Sequence, residues 1–147
     1  MIMKGQVYFE DVNEGDQLPS LVKGPIERIQ LVKYAGASGD FNPIHVDEEY
    51  ARSAGMKSVF AHGMLSMGFM GQLITDWLGE EGELLRFKVR FKAIVWPGDV
   101  ITNTGTIVKK YEDNGKGLVD IELSGKNQDG QVTVTGSATA SLPLGSY

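Results

Sequence analysis

The stretch "HGMLSMGFMGQLITDWLG", residues 62–79, decides the fold. From Met64 to Ile74 it is apolar on nearly every face, with Ser66 and Gln72 as the exceptions. As a helix it would be about 25 Å long at about 1.5 Å per residue. A helix apolar all round belongs inside a core or a membrane, and this one falls short of the ~20 residues that a bilayer requires. Another part of the chain must therefore wrap it. The residues on its C-terminal side have the right pattern. "ELLRFKVRFKAIVW", 83–96, sets Phe87, Val89, Phe91, Ala93 and Val95 on one side and Arg86, Lys88, Arg90 and Lys92 on the other, the period of a half-buried strand. "PGD" turns the chain, "VITNTGTIVKKY" reads as a second strand and "EDNGKG" as a hairpin. "LVDIELSGKN" reads as a third strand, "QDGQ" as another hairpin and "VTVTGSATASL" as a fourth strand. The fold class is α+β: a four-stranded antiparallel meander, joined by a strand or two from the N-terminal part, curved around one long central helix at about 62–78.

The N-terminal part carries weaker patterns. "GQVYF", 5–9, reads as a short edge strand, and "LVKGPIERI", 21–29, as extended chain. "IQLVKYAGAS", 29–38, predicts a helix with Ile29, Val32, Ala35 and Ala37 at roughly helical spacing. "DEEYARSAG", 47–55, opens acidic and ends in glycine, as a short helix does.

With 147 residues, 41% of them hydrophobic and 22% charged, the chain reads as one globular domain over 1–147. It has no cysteine, which excludes disulfides, thiolate zinc sites and a catalytic thiol, and fits a reducing, cytoplasmic setting. The net charge of −5 argues against nucleic acid as a partner. Two histidines are few for a metal site. Residues 1–15 lack the apolar run of a signal peptide.

Residues 39–45 read "GDFNPIH". Pro43 forbids regular helix there and holds Asn42 extended. A stiff, irregular loop can aim Asp40 and His45 into one cleft, which neither a helix nor a strand does at a spacing of five. Asn42 suits a bond to its own loop or the orienting of one of the pair. A turn-capping acid and a structural histidine are the plainer alternative. Gly63 lies in the first turn of the predicted long helix, where N–H groups lack partners and the dipole favours negative charge. It fits an oxyanion contact as well as a tight entry into the helix, and His62 reads as a cap or loop anchor. Gly68 and Gly71 share a face and cost helix stability by about 1 kcal/mol each against alanine. They suit either an opening for a ligand chain or close packing.

The run "YAGASGDFNPIHVDEEYARSAGMKSVFAHGMLSMG", 34–68, resembles the R-specific hydratase signature of the MaoC-like enoyl-thioester hydratases. Its elements are an aromatic residue, small residues, G-D-x-N-P-aliphatic-H, a short helix, then H-G-M. "VRFKAIVWPGD", 89–99, resembles the strand and turn after the family's helix, and the similarity spans about 25–143. Within the family, "AHGMLSMG" looks most like the catalytic subunits of mycobacterial (3R)-hydroxyacyl-ACP dehydratases. The resemblance implies a hotdog fold and reversible hydration of trans-2-enoyl thioesters of CoA or ACP to (3R)-3-hydroxyacyl thioesters, without cofactor or metal. It supports Asp40, His45 and Gly63 as the catalytic residues, and Asn42, Phe41, Met64, Gly68 and Gly71 are the candidate substrate-binding or orienting residues beside them. Gly71 departs from the hydratases of polyhydroxyalkanoate synthesis, which carry serine there. A hotdog thioesterase and a non-enzymatic acyl-binding partner subunit are the competing functions; the N-P-x-H after Asp40 disfavours the first. Edge-strand pairing predicts a homodimer or larger, or a heterodimer with another hotdog subunit, with no membrane and no nucleic acid as partner. The basic stripe Arg86, Lys88, Arg90 and Lys92 fits either the steering of an anionic carrier or the wet face of a strand.

Overall fold

The computed structural model describes residues 5–145. Three helices, α1 (Arg28–Ser38), α2 (Glu48–Ser53) and α3 (Gly63–Leu78), accompany five strands, β1 (Leu21–Lys23), β2 (Glu83–Phe91), β3 (Ile101–Asp113), β4 (Lys116–Lys126) and β5 (Val132–Leu142). The strands form one curled antiparallel sheet in the order β1-β3-β4-β5-β2, and α3 runs through its hollow. The β3–β4 turn carries Asn114 at φ 51° and Gly115 at φ 76°, the backbone that an Asn-Gly hairpin supplies.

Two hydrophobic cores meet on α3. Met70, Leu73, Ile74 and Leu78 pack on the sheet against Ile107, Val119, Ile121 and Val134. Leu65 and Phe69 pack against Leu31, Ala51, Val59 and Ala61 from α1, α2 and the segment before α3. A helix shared by two cores must be apolar on most sides, which accounts for its composition. The wrapping is nevertheless incomplete. Met64, Gly68 and Thr75 are exposed and fall along one line of the helix, and Gly63 is exposed at its first turn.

Several expectations need correction. Residues 5–8 form no strand; Phe9–Asp11 is a 3-10 turn whose Phe9 plugs the main core. Of 21–29 only Leu21–Lys23 pairs, and α1 already begins at Arg28. On α1 the buried residues are Leu31 and Ala35, with Ile29 54% and Val32 49% exposed. Both sets of residues satisfy helical spacing, so periodicity alone does not choose between them. The strand expected over 83–96 ends at Phe91, where the N–H groups of Lys92 and Ala93 both donate to the Thr133 carbonyl (2.8 and 3.2 Å) and break the ladder. The sheet is also not a four-strand meander. Only β3, β4 and β5 are sequential neighbours; β2 lies on the far edge beside β5. Alternation tells which face a residue takes and not which strand lies next to it.

Candidate functional site

Helix α1 stops at Gly39, whose φ of 78° is the left-handed turn that ends helices. The loop beyond is stitched by its own side chains. The Asp40 N–H donates to Ser38 Oγ (3.2 Å) and the Asn42 N–H to Asp40 Oδ1 (3.2 Å). Asn42 Oδ1 accepts from the Ile44 N–H (3.1 Å), capping the 3-10 turn Pro43–His45. Of the two uses open to it, then, Asn42 takes the loop-binding one. The fold brings the ring of buried His45 to the carboxylate of half-exposed Asp40, with Nε2 4.0 Å from Oδ2. His45 Nδ1 lies 2.7 Å from the Phe60 carbonyl. A carbonyl can only accept, so Nδ1 carries the proton, and the Nε2 lone pair of the neutral ring is left facing Asp40.

His62 lies against this pair. Its ring stacks on that of His45 with centroids 3.9 Å apart and 25° between planes, and Tyr34 meets it edge-on at 4.7 Å. Its Nε2 is 3.2 Å from the Asp40 carbonyl oxygen. Burial holds His62 below its ordinary pKa, against the contrary pull of the Asp40 bond, and the neighbouring His45 adds to the lowering. Asp40, His45 and His62 offer ligand atoms within 4.8 Å of one another. Stacked imidazoles, however, aim their in-plane lone pairs along nearly parallel planes, and one nitrogen of each ring already faces a carbonyl. The cluster is better arranged for moving protons than for converging on a metal ion.

Gly63 opens α3, with His62 as its N-cap residue. The Phe91 ring from the end of β2 lies over it: a Cβ on Gly63 would stand 3.1 Å from two ring carbons. No sequence pattern signals that contact, because it pairs the last residue of a strand with a residue twenty-eight positions earlier. Phe41 and Met64 are 68% and 57% exposed. Gly68 and Gly71 lie further along the helix, about 8 and 12 Å from Gly63. A Cβ on Gly68 would meet nothing within 4 Å, and one on Gly71 only Phe87 at 3.6 Å. Among the described residues, close packing therefore does not account for either glycine.

Glu48, at the start of α2, is in the sequence no more than part of an acidic first turn; the fold makes it a hub. It accepts from the Val59 N–H (3.2 Å) and Ser58 Oγ (3.0 Å) and pairs with Arg28 and Arg52, both at 3.0 Å. The Val59 bond, foremost among these contacts, pulls its carboxyl below the ordinary value. Glu48 so ties α1 and α2 to the segment that carries Phe60 and His62. The basic stripe lines a groove of about 1070 Å³ on the outer face of the sheet, floored by Thr104, Thr135, Ser137 and Thr139. None of Asp40, His45, His62 and Gly63 lines it. Among the described residues the stripe makes no salt bridge.

Residues 12–128 match the family model described as MaoC like domain. An (R)-specific enoyl-CoA hydratase from Rhodospirillum rubrum is 36% identical over 137 residues, 92% of each chain. The unliganded R-hydratase PhaJ1 of Pseudomonas aeruginosa has a similar structure, with a TM-score of 0.84 and 27% identity over 95% of this chain and 88% of that one. The ChsH1-ChsH2 complex of Mycobacterium tuberculosis gives 0.78 and 25% over 88% and 98%.

Proposed function

The chain belongs to the MaoC-like domain family, and from that premise we propose that it is a single hotdog domain that adds water reversibly across trans-2-enoyl thioesters, giving (3R)-3-hydroxyacyl thioesters. The observation that carries this reading is the Asp40–His45 pair. Two groups 4.0 Å apart can both reach one water oxygen at about 2.8 Å. The pair removes a proton from that water as its oxygen bonds to C3. The C2–C3 π electrons move toward the thioester, and the enolate oxygen that forms is held by the N–H at Gly63 and the positive end of α3. The proton then passes from the pair to C2, so one water is added and nothing else is consumed. Phe41, Met64, Gly68 and the half-buried Gly71 supply the apolar track for the acyl chain. A thioesterase would need no second group opposite the acid, and a silent partner subunit would need neither.

The test is crotonyl-CoA with pure protein, following loss of the enoyl absorbance and the configuration of the product. Asp40→Asn and His45→Gln should each lower turnover by about 10²- to 10⁴-fold, with fold retained. The double variant should be little worse than the worse single, because groups on one proton path do not add. Near-normal hydration by Asp40→Asn, or thiol release in place of hydration, defeats the reading.

The working unit we infer is a dimer built on β2. This strand is a nine-residue edge, against three residues for β1 at the other edge, and a long open edge invites pairing. Phe91, Leu85 and Met64 are half-exposed beside it or on it, and the uncovered line of α3 lies along the same side through the Gly63–Phe91 and Gly71–Phe87 contacts. A second copy, or a related hotdog subunit, would cover all of these. Among the described residues no helix is long and apolar enough to cross a membrane, and a cytoplasmic pool of CoA or ACP thioesters is the proposed source of substrate.

A further inference from the structure

We propose that His62 is the positioning residue of the acid–base pair, its neutral ring tying the Asp40 backbone to the imidazole of His45 so that the two proton-transfer groups are held as one unit. This role rests on Asp40 and His45 being the pair that moves the proton in the proposed hydration.

His62 is 1% exposed. Its Nε2 faces the Asp40 carbonyl at 3.2 Å, so Nε2 must carry the proton and donate. Its Nδ1 is then a lone pair, buried with no hydrogen-bond partner among the described residues. A group left in that state lowers stability. If the position served packing alone, an apolar ring of the same shape would do so without that loss. The polar ring is accounted for by what its other nitrogen holds, the backbone of Asp40.

The same ring also sets the plane of His45. Three contacts fix that imidazole: Nδ1 on the Phe60 carbonyl at 2.7 Å, the Phe60 ring edge-on at 5.0 Å, and His62 stacked on its face at 3.9 Å. Only the Nε2 edge is left for chemistry, and it points to Asp40. The titratable groups facing His62 are His45 below, Asp40 at its Nε2 edge and Tyr34 at its side. A second proton on His62 would put a donor into a place without an acceptor among the described residues and, whenever His45 holds the proton taken from water, would set two cations face to face. His62 therefore stays neutral while His45 takes and returns its proton.

His62→Phe keeps a flat ring and removes the tether; His62→Gln restores a donor toward Asp40 and removes the stack. In His62→Phe the melting temperature should be unchanged or higher, KM for crotonyl-CoA within about twofold, and kcat down at least tenfold, with an altered pH–rate profile. His62→Gln should lie between it and the wild type in kcat. With only two histidines in the chain, nitrogen-15 spectra near neutral pH give a reading independent of turnover: His45 protonated at Nδ1 and His62 at Nε2. A wild-type kcat and pH profile in His62→Phe, a kcat loss in both variants that merely follows loss of folded protein, or His62 protonated at Nδ1 overturns the proposal. Should one variant fail to fold, the other and the spectra decide it. Asp40→Asn belongs in the same series: if it hydrates normally, the assignment of the site has failed, and not the role of His62.

Discussion

At the scale of single residues the site depends on two contacts of different kinds, a tautomer set by a carbonyl and a glycine covered by a ring. The second yields a prediction. In Gly63→Ala the new methyl would stand 3.1 Å from the Phe91 ring, tighter than ordinary contact, yet a shift of the half-exposed Phe91 ring by a few tenths of an ångström relieves it. Alanine also favours helix over glycine by up to about 1 kcal/mol. The melting temperature should therefore hold or rise, while turnover falls at least tenfold, because the methyl crowds the place where a thioester oxygen would approach the amide. Adding Phe91→Leu separates two causes: recovered turnover would mean that ring displacement did the damage, and continued loss that approach to the amide did. Thermal melts and crotonyl-CoA rates read both. The meeting of Asp40 with His45 and the place of Gly63 at the start of α3 are legible in the sequence, because a proline-stiffened loop and a helix-opening glycine leave marks in residue type. The roles of the Phe60 and Asp40 carbonyls are not, since every residue has a carbonyl and its sequence position carries no sign of which imidazole it will meet.

At the scale of elements, α3 and the β3–β4–β5 meander follow from patterns that the sequence states locally: all-round apolarity, alternation, and one Asn-Gly and one Asp-Gly turn. The faces of α1 and the place of β2 do not, since those depend on what lies next to each element. The same holds for Glu48, whose partners come from α1, α2 and the segment before α3. Glu48→Gln keeps one acceptor for the Val59 N–H and removes the charge that both arginines face. The segment carrying Phe60 and His62 should loosen, lowering kcat several-fold with less effect on KM. The pH dependence has a definite sign. Contacts with Val59, Ser58 and the arginines hold the Glu48 carboxyl below its ordinary value of 4.5, so the folded state binds the proton less readily than the unfolded chain. The stability this contributes is complete above about pH 4.5 and is lost as pH falls through the lower, folded value. Acid denaturation followed by circular dichroism should find Glu48→Gln less sensitive to pH in that window; an identical acid limb would mean that Glu48 ties nothing together.

At the scale of the whole molecule, charge and shape pull against each other on β2. Its apolar side and open ladder invite a second copy, but its outer side carries Arg86, Lys88, Arg90 and Lys92 in alternation; the neighbouring β5 positions Thr135, Ser137 and Thr139 offer no negative charge, and the acids of the groove, Asp120 and Glu122, stand one strand further in on β4. Antiparallel pairing of β2 with itself sets two such stripes side by side, and like charges across a strand pair are destabilising. That repulsion is screened by salt, whose Debye length falls from about 30 Å at 0.01 M to about 3 Å at 1 M. Self-association should therefore tighten as salt is raised, the reverse of an interface held by ion pairs. Lys88→Glu, near the middle of the stripe, should bring the low-salt affinity toward the high-salt value. Sedimentation equilibrium over a salt series measures both. If association weakens with salt, or if a monomer retains full hydration at concentrations where no dimer forms, β2 is not the seam. If the chain stays monomeric and inactive at every salt concentration, the edge is made for a different hotdog subunit, and the stripe says which kind: one whose own edge strand is acidic.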